Sequence, residues 1–243
     1  MSAVVLRRAL ERAPIGVRPF AILAAIAATP DLPPIFLRRA EEKVFLERFV
    51  EEEAELLAKP EEEPLRLELE MFLATLKTAA VLEAWIDEQP IVELTDRFGI
   101  GAGDLRAKVE DADWLLFGAS RLAQHFQRRA ARTVDDLSLR VRYGVREELL
   151  DLVRLKGIGR VRSRLLYNAG LTDREALRSA PLPRVEAVLR SRKLAESVLS
   201  QVASPRARPN PEPPAQASPP PPAPHPGRTK PTSPGRRLED FPT

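Results

Sequence analysis

From Val4 to about residue 200, apolar residues recur at helical spacing, and no strand-like alternation persists beyond a few residues. That pattern removes a sheet as the organising element and sets an all-α expectation. Leucine, alanine, arginine and glutamate dominate, and aromatics are only 5%, a mix that favours helices over strands. The spacing predicts helices over 4–12, 17–28, 37–58, 65–88 and 91–98, and a long one from Gly101 to about Arg129. Helix 17–28 is apolar almost all round, so it is expected at the centre of a core. In helix 37–58, Val44, Phe45, Leu46, Phe49, Val50, Leu56 and Leu57 form the expected buried stripe. Prolines in Thr29-Pro-Asp-Leu-Pro-Pro, at 59–64 and at Pro90 punctuate the run.

The long helix carries an aromatic on its outer side. At about 100° per residue, Leu105, Val109, Ala112, Leu116, Ala119 and Ala123 fall within about 40° of one direction. Trp114 falls opposite, among Ala107, Gly118, Arg121, His125 and Arg128. An exposed ring between small and basic residues reads either as a platform for stacking a nucleic-acid base or as a contact to a neighbouring domain. His125 has no second histidine or carboxylate at helical spacing that would suggest a metal. The glutamates at 51–53 and 61–63 read as solvated faces.

Further on stands Leu155-Lys-Gly-Ile-Gly-Arg-Val-Arg-Ser-Arg-Leu-Leu. Two glycines flank one apolar residue, and a basic helix-forming run follows, as in a helix-hairpin-helix turn. Gly157 and Gly159 let the backbone approach a phosphate, and the N–H groups at the start of the next helix point at an anion. Ile158 and Leu155 anchor the turn. Lys156, Arg160, Arg162 and Arg164 are the candidate cations. A plain tight turn between two helices is the simpler alternative.

Charge is divided along the chain. Residues 1–100 carry 12 basic and 19 acidic side chains, whereas residues 101–243 carry 26 and 16. A basic half beside an acidic one points to a polyanionic partner for the former; solvated helix faces are the bland alternative. With no cysteine, disulfides and thiolate metal sites are excluded. The longest near-continuous apolar run, 20–28, is too short to span a bilayer, and charged residues interrupt any early leader pattern. A cytoplasmic location without membrane contact is the resulting expectation.

The end of the chain has a different composition: residues 201–243 hold 14 of the 24 prolines. Such a segment is expected to be a disordered, partly polyproline tail. It closes on Gly235-Arg-Arg-Leu-Glu-Asp-Phe-Pro-Thr, where Leu238 and Phe241 loosely resemble the short peptide that docks on sliding clamps. The expected organisation is a helical domain over 1–133, a helix-hairpin-helix domain over 134–200 and the tail over 201–243.

Several segments occur together in order: Ala28-Thr-Pro-Asp-Leu, Lys77-Thr-Ala-Ala-Val-Leu-Glu-Ala-Trp-Ile, Gly103-Asp-Leu-Arg, Ala112-Asp-Trp-Leu-Leu, Arg142-Tyr-Gly-Val-Arg-Glu-Glu-Leu and the Gly157–Gly159 motif through Gly170. The series resembles the C-terminal part of the archaeal HelQ-like, Ski-type superfamily II DNA repair helicases, over about residues 1–200. The resemblance implies a ratchet domain lying against single-stranded or forked DNA. Trp114 would stack on a base, with Arg106, Arg121 and Arg128 beside the strand. The hairpin domain would grip the exiting strand. A basic residue two turns before the tryptophan can occur in that family; Ala107 stands there, flanked by Arg106 and Lys108.

Helicases of this kind hydrolyse ATP with two RecA-like domains, but the chain has no Gly-x-x-x-x-Gly-Lys-Ser/Thr loop and no Asp-Glu-x-His box. No cofactor is therefore expected in this chain, with ATP and magnesium entering only through a companion motor. Two other readings stand beside this one. The chain is a protein-interaction module docking on a sliding clamp or another repair factor, or it is a fragment of a broken helicase gene whose Met1 falls inside a longer protein.

Overall fold

The structure is a computed structural model, and it describes residues 2–203 apart from 15, 61–63 and 127. Every regular element among the described residues is helical, as the apolar spacing requires. The helices of the first part are α1 (Ser2–Arg12), α2 (Pro19–Ala27), α3 (Glu42–Glu52), α4 (Arg66–Ile86), α5 (Ile91–Phe98), α6 (Ala102–Phe126) and α7 (Arg128–Tyr143). The rest comprise α8 (Leu150–Val153), α9 (Arg160–Asn168), α10 (Arg174–Arg178), α11 (Leu182–Leu189) and α12 (Arg192–Ala203).

Two cores form. The first runs from Leu6 to Val141, and the second from Val145 to Val202. Residue 134, where the sequence reading starts its second domain, lies inside α7, and Val134, Leu137 and Val141 belong to the first core. At the centre of that core lies α2. Every residue from Phe20 to Ala27 is buried, so its lack of a polar face is matched by helices on all sides, chiefly α4. A proline at its first turn removes an N–H that would have had no partner.

α4 also carries the one buried lysine of the described core. Lys77 is 2% exposed, and its Nζ donates to Glu41 Oε2 at 2.7 Å and to the Phe36 carbonyl at 3.1 Å. Thr78 beside it accepts from the Ile35 backbone N–H at 2.8 Å. These bonds tie the extended stretch before α3 to α4. Burial pushes the Glu41 carboxyl up, but Lys77 and the Arg38 backbone N–H outweigh it and hold the group below its ordinary range.

The segment 37–58 departs from the predicted single helix. It is a 3₁₀ turn (Arg39–Glu41) followed by α3, which ends at Glu52. Glutamates 51–53 sit at the negative end of the helix dipole, where carboxylates disfavour continuation. Leu56 and Leu57 fold back into the core from outside the helix. Only Phe45 and Phe49 of the expected stripe face inward in α3; Val44, Leu46 and Val50 are exposed.

Candidate nucleic-acid interface

α6 has one face in the core and one in solvent. Leu105, Ala112, Leu116, Ala119 and Ala123 are buried, and Val109 packs at their edge. A second, polar line on α6 meets α7. Asp113 accepts from Arg142 Nε at 2.9 Å and from Ser138 Oγ at 3.2 Å, and Ser120 donates to Asp135. α6 and α7 are thus held in register by an ion pair and two serine hydroxyls as well as by apolar packing. Trp114 stands on the outer face, 53% exposed. Ala107, Gly118, Arg121 and His125 are exposed along the same side.

Gly118, one turn on from Trp114, has open space where a Cβ would be. The Arg121 guanidinium lies 5.1 Å from the Phe117 ring centroid. Arg106 pairs with Glu110 at 2.8 Å, both exposed, an arrangement worth little in water and easily exchanged. Nothing is described of the Arg128 side chain, and Leu238 and Phe241 lie outside the described residues.

The second domain presents its turn at residues 154–159, between α8 and α9. Ile158 N–H closes a four-residue turn onto the Leu155 carbonyl at 3.0 Å. Its third residue, Gly157, has φ +85°, a conformation that a Cβ would strain. Leu155 and Ile158 are both buried. Gly159 is the extended residue that starts α9. Among the described residues, the backbone N–H groups of Gly159, Arg160, Val161 and Arg162 have no acceptor outside the helix ladder, as expected of a helix start. The Lys156 backbone is held by Gln201 on α12, its N–H donating to Oε1 at 2.8 Å. The Lys156 side chain is exposed.

The three arginines of the motif divide by face. Arg162 is exposed and donates to the Gly157 carbonyl at 2.8 Å, bracing the turn. Arg160 and Arg164 point the other way, toward the C-terminal end of α4. Arg160 lies 4.4 Å over the Trp85 ring and donates to the Gln89 carbonyl at 2.7 Å. Burial lowers its pKa. Arg164 pairs with Glu88 and, at 2.9 Å, with Glu148; its ion pair with Glu88 raises its pKa. Both guanidinium groups are therefore committed to joining the two domains.

This seam was not legible in the motif. Trp85 Nε1 donates to the Val141 carbonyl at 2.7 Å, and its ring lies where a Cβ on Gly144 (φ +63°) would stand. Arg146 Nε donates to the Asp87 carbonyl at 3.1 Å, and Arg140 pairs with Asp87 at 3.6 Å. Arginines thus gather on the negative end of the α4 dipole, where cations are stabilised. Glu88 takes φ +63° to close that helix end, a backbone conformation usually left to glycine. One signal was present in the sequence: residues 160 and 164 share a helix face, whereas 162 lies on the opposite one.

Among the described residues, no group of three or more His, Cys, Asp or Glu side chains could hold a metal, and no helix is long and apolar enough to cross a membrane.

An all-helical domain with an aromatic-bearing outer helix, joined at Gly144 to a small helical domain with a Gly-Ile-Gly turn, defines the class of protein. Residues 20–144 match the family model described as archaeal helicase, domain 4, and the chain belongs to that family. The match ends at the glycine between the two cores. Over 207 residues the chain is 38% identical to the ATP-dependent DNA helicase Hel308 of Methanocella arvoryzae, covering 83% of this chain and 28% of that protein. It is 41% identical over 177 residues to the Hel308 of Thermococcus kodakarensis, covering 71% and 15%. With the Hel308 of Pyrococcus horikoshii it shares 32% over 205 residues, covering 83% and 28%. The chain spans less than a third of the length of these relatives.

Proposed function

We propose that this chain is a DNA-binding part of a Hel308-like, ATP-dependent helicase. It binds single-stranded or forked DNA along the outer face of α6 and holds the backbone at the 154–159 turn, which acts as a helix-hairpin-helix. The observation that carries the reading is Trp114, a large ring left in solvent on a helix whose opposite face is entirely core. The names of the relatives support DNA as the ligand and ATP as the energy source. ATP hydrolysis itself requires a motor outside this sequence, which lacks a phosphate loop.

The geometry narrows the phosphate contacts expected from the motif. Lys156 and Arg162, with the free N–H groups at the start of α9, serve as the phosphate ligands at the hairpin. Arg160 and Arg164 serve as positioning residues that fix this cradle against α4. On α6, Arg121 and Arg106 flank the stacked base.

Fluorescence anisotropy with a labelled oligonucleotide, titrated with salt, tests this. For single strands the logarithmic salt slope is about −0.7 per phosphate contact. Lys156→Ala and Arg162→Ala should each make the slope shallower by about 0.7. Arg160→Ala should leave the slope as it is while lowering thermal stability. No binding by the unaltered chain at low salt would refute the reading, and a slope that responds to Arg160 rather than to Arg162 would refute the assignment.

A further inference from the structure

Between α9 and α11 of the second domain lies an open groove of about 650 Å³, within the roughly 300–1,000 Å³ of sites that hold small ligands or short peptide segments. Its walls are Val161, Leu165, Val188 and Leu189, and its rim carries Arg162 and Arg190. Val161 is 70% exposed and Leu165 47%. These two sit at i and i+4, so they form one apolar ridge on α9. Arg190 takes φ +53° at the end of α11, and no ion pair engages its guanidinium among the described residues. Arg162 spends one nitrogen on the Gly157 carbonyl and is otherwise exposed. The groove is therefore apolar in its walls and cationic at its rim, with nothing described covering it.

We infer that its occupant is the C-terminal segment of this same chain, Leu238-Glu239-Asp240-Phe241. The segment carries the complementary pattern: two large apolar residues for the walls, and two adjacent carboxylates for Arg162 and Arg190. It is also tethered to the right domain. α12 ends at Ala203 and packs on α11, and 35 chain steps separate Ala203 from Leu238. At about 3.3 Å per residue that length reaches about 115 Å, whereas a domain of this size has a radius of gyration of about 10 Å. Tethering converts docking into an intramolecular event at high effective concentration, so a contact too weak between separate molecules becomes populated.

Docking does not depend on the DNA reading. One consequence does rest on it: the docked carboxylates occupy Arg162, so DNA phosphate and the tail compete for the same cation.

The test is methyl NMR on the full chain, labelled at valine and leucine, without DNA. Wild type is compared with the Leu238→Ala/Phe241→Ala double variant. Shift changes should be confined to the methyls of Val161, Leu165, Val188 and Leu189, and should persist unchanged over a tenfold protein dilution. In a Leu165→Glu background the same tail substitutions should change nothing in the groove. Identical groove methyls in wild type and variant would overturn the inference. Shifts that fade on dilution would also overturn it, by showing that the segment comes from a second copy. Because no DNA is present, a failure here leaves the DNA-binding reading intact, and a failure of DNA binding leaves docking to stand on these spectra alone.

Discussion

Lys77→Ala should lower the free energy of unfolding by about 3–5 kcal/mol, the cost of removing one partner from a buried ion pair. The lysine is 2% exposed in the middle of α4. Its ammonium serves two acceptors, Glu41 and the Phe36 carbonyl, and both lose their donor in the variant. Lys77→Met keeps most of the stem packing and separates charge from volume. The penalty should depend on pH in one direction. Glu41 has a folded pKa below its unfolded value of about 4.3. The pair's contribution is therefore fully present above about pH 4.3 and is lost as pH falls through the folded pKa. Urea unfolding at pH 7 and near pH 3 should show the gap between wild type and Lys77→Ala narrowing in acid. A gap of equal size at both pH values would mean that packing, not the ion pair, carries the effect.

Gly144→Ala should cost about 2–5 kcal/mol, combining about 1–2 for a left-handed alanine with about 1–3 for forced overpacking. The added Cβ meets Trp85, whose indole is fixed by its bond to the Val141 carbonyl and by Arg160 above it. The ring cannot move without breaking the seam between the domains. Gly170 provides the control. It has φ +78°, but a Cβ there meets only the end of the Arg184 side chain at 3.3 Å. Gly170→Ala should therefore cost the backbone strain alone. Thermal melts of the two variants should differ clearly, with Gly144→Ala the lower. Equal melting temperatures would show that the Trp85 contact does not constrain the join.

That Trp114 faces away from the core stripe was legible because α6 is long and its period strict; whether solvent or a neighbouring domain meets it was not. Leu155 and Ile158 were legible as anchors for the same local reason. The true end of α3 was hidden, because Leu56 and Leu57 continue an apolar spacing that the chain satisfies by folding back instead. The roles of Arg160 and Arg164 were hidden because their partners, Gln89 and Glu88, lie more than 70 residues away in the chain. No local period encodes such a pairing. An arginine-rich run looked like three phosphate ligands. The fold divides it into one exposed cation and two ties between domains.

Trp114→Ala tests most directly whether the exposed face of α6 is the proposed DNA-stacking surface. The substitution removes an exposed ring from a helix held by its other face, so stability should change little. The measurement is the affinity for a labelled single-stranded oligonucleotide at fixed low salt, for wild type, Trp114→Phe and Trp114→Ala. Stacking is worth about 1–3 kcal/mol per base. Trp114→Ala should therefore weaken binding by roughly 5- to 150-fold, with Trp114→Phe in between and the salt slope unchanged. Equal affinity of all three proteins would contradict the account.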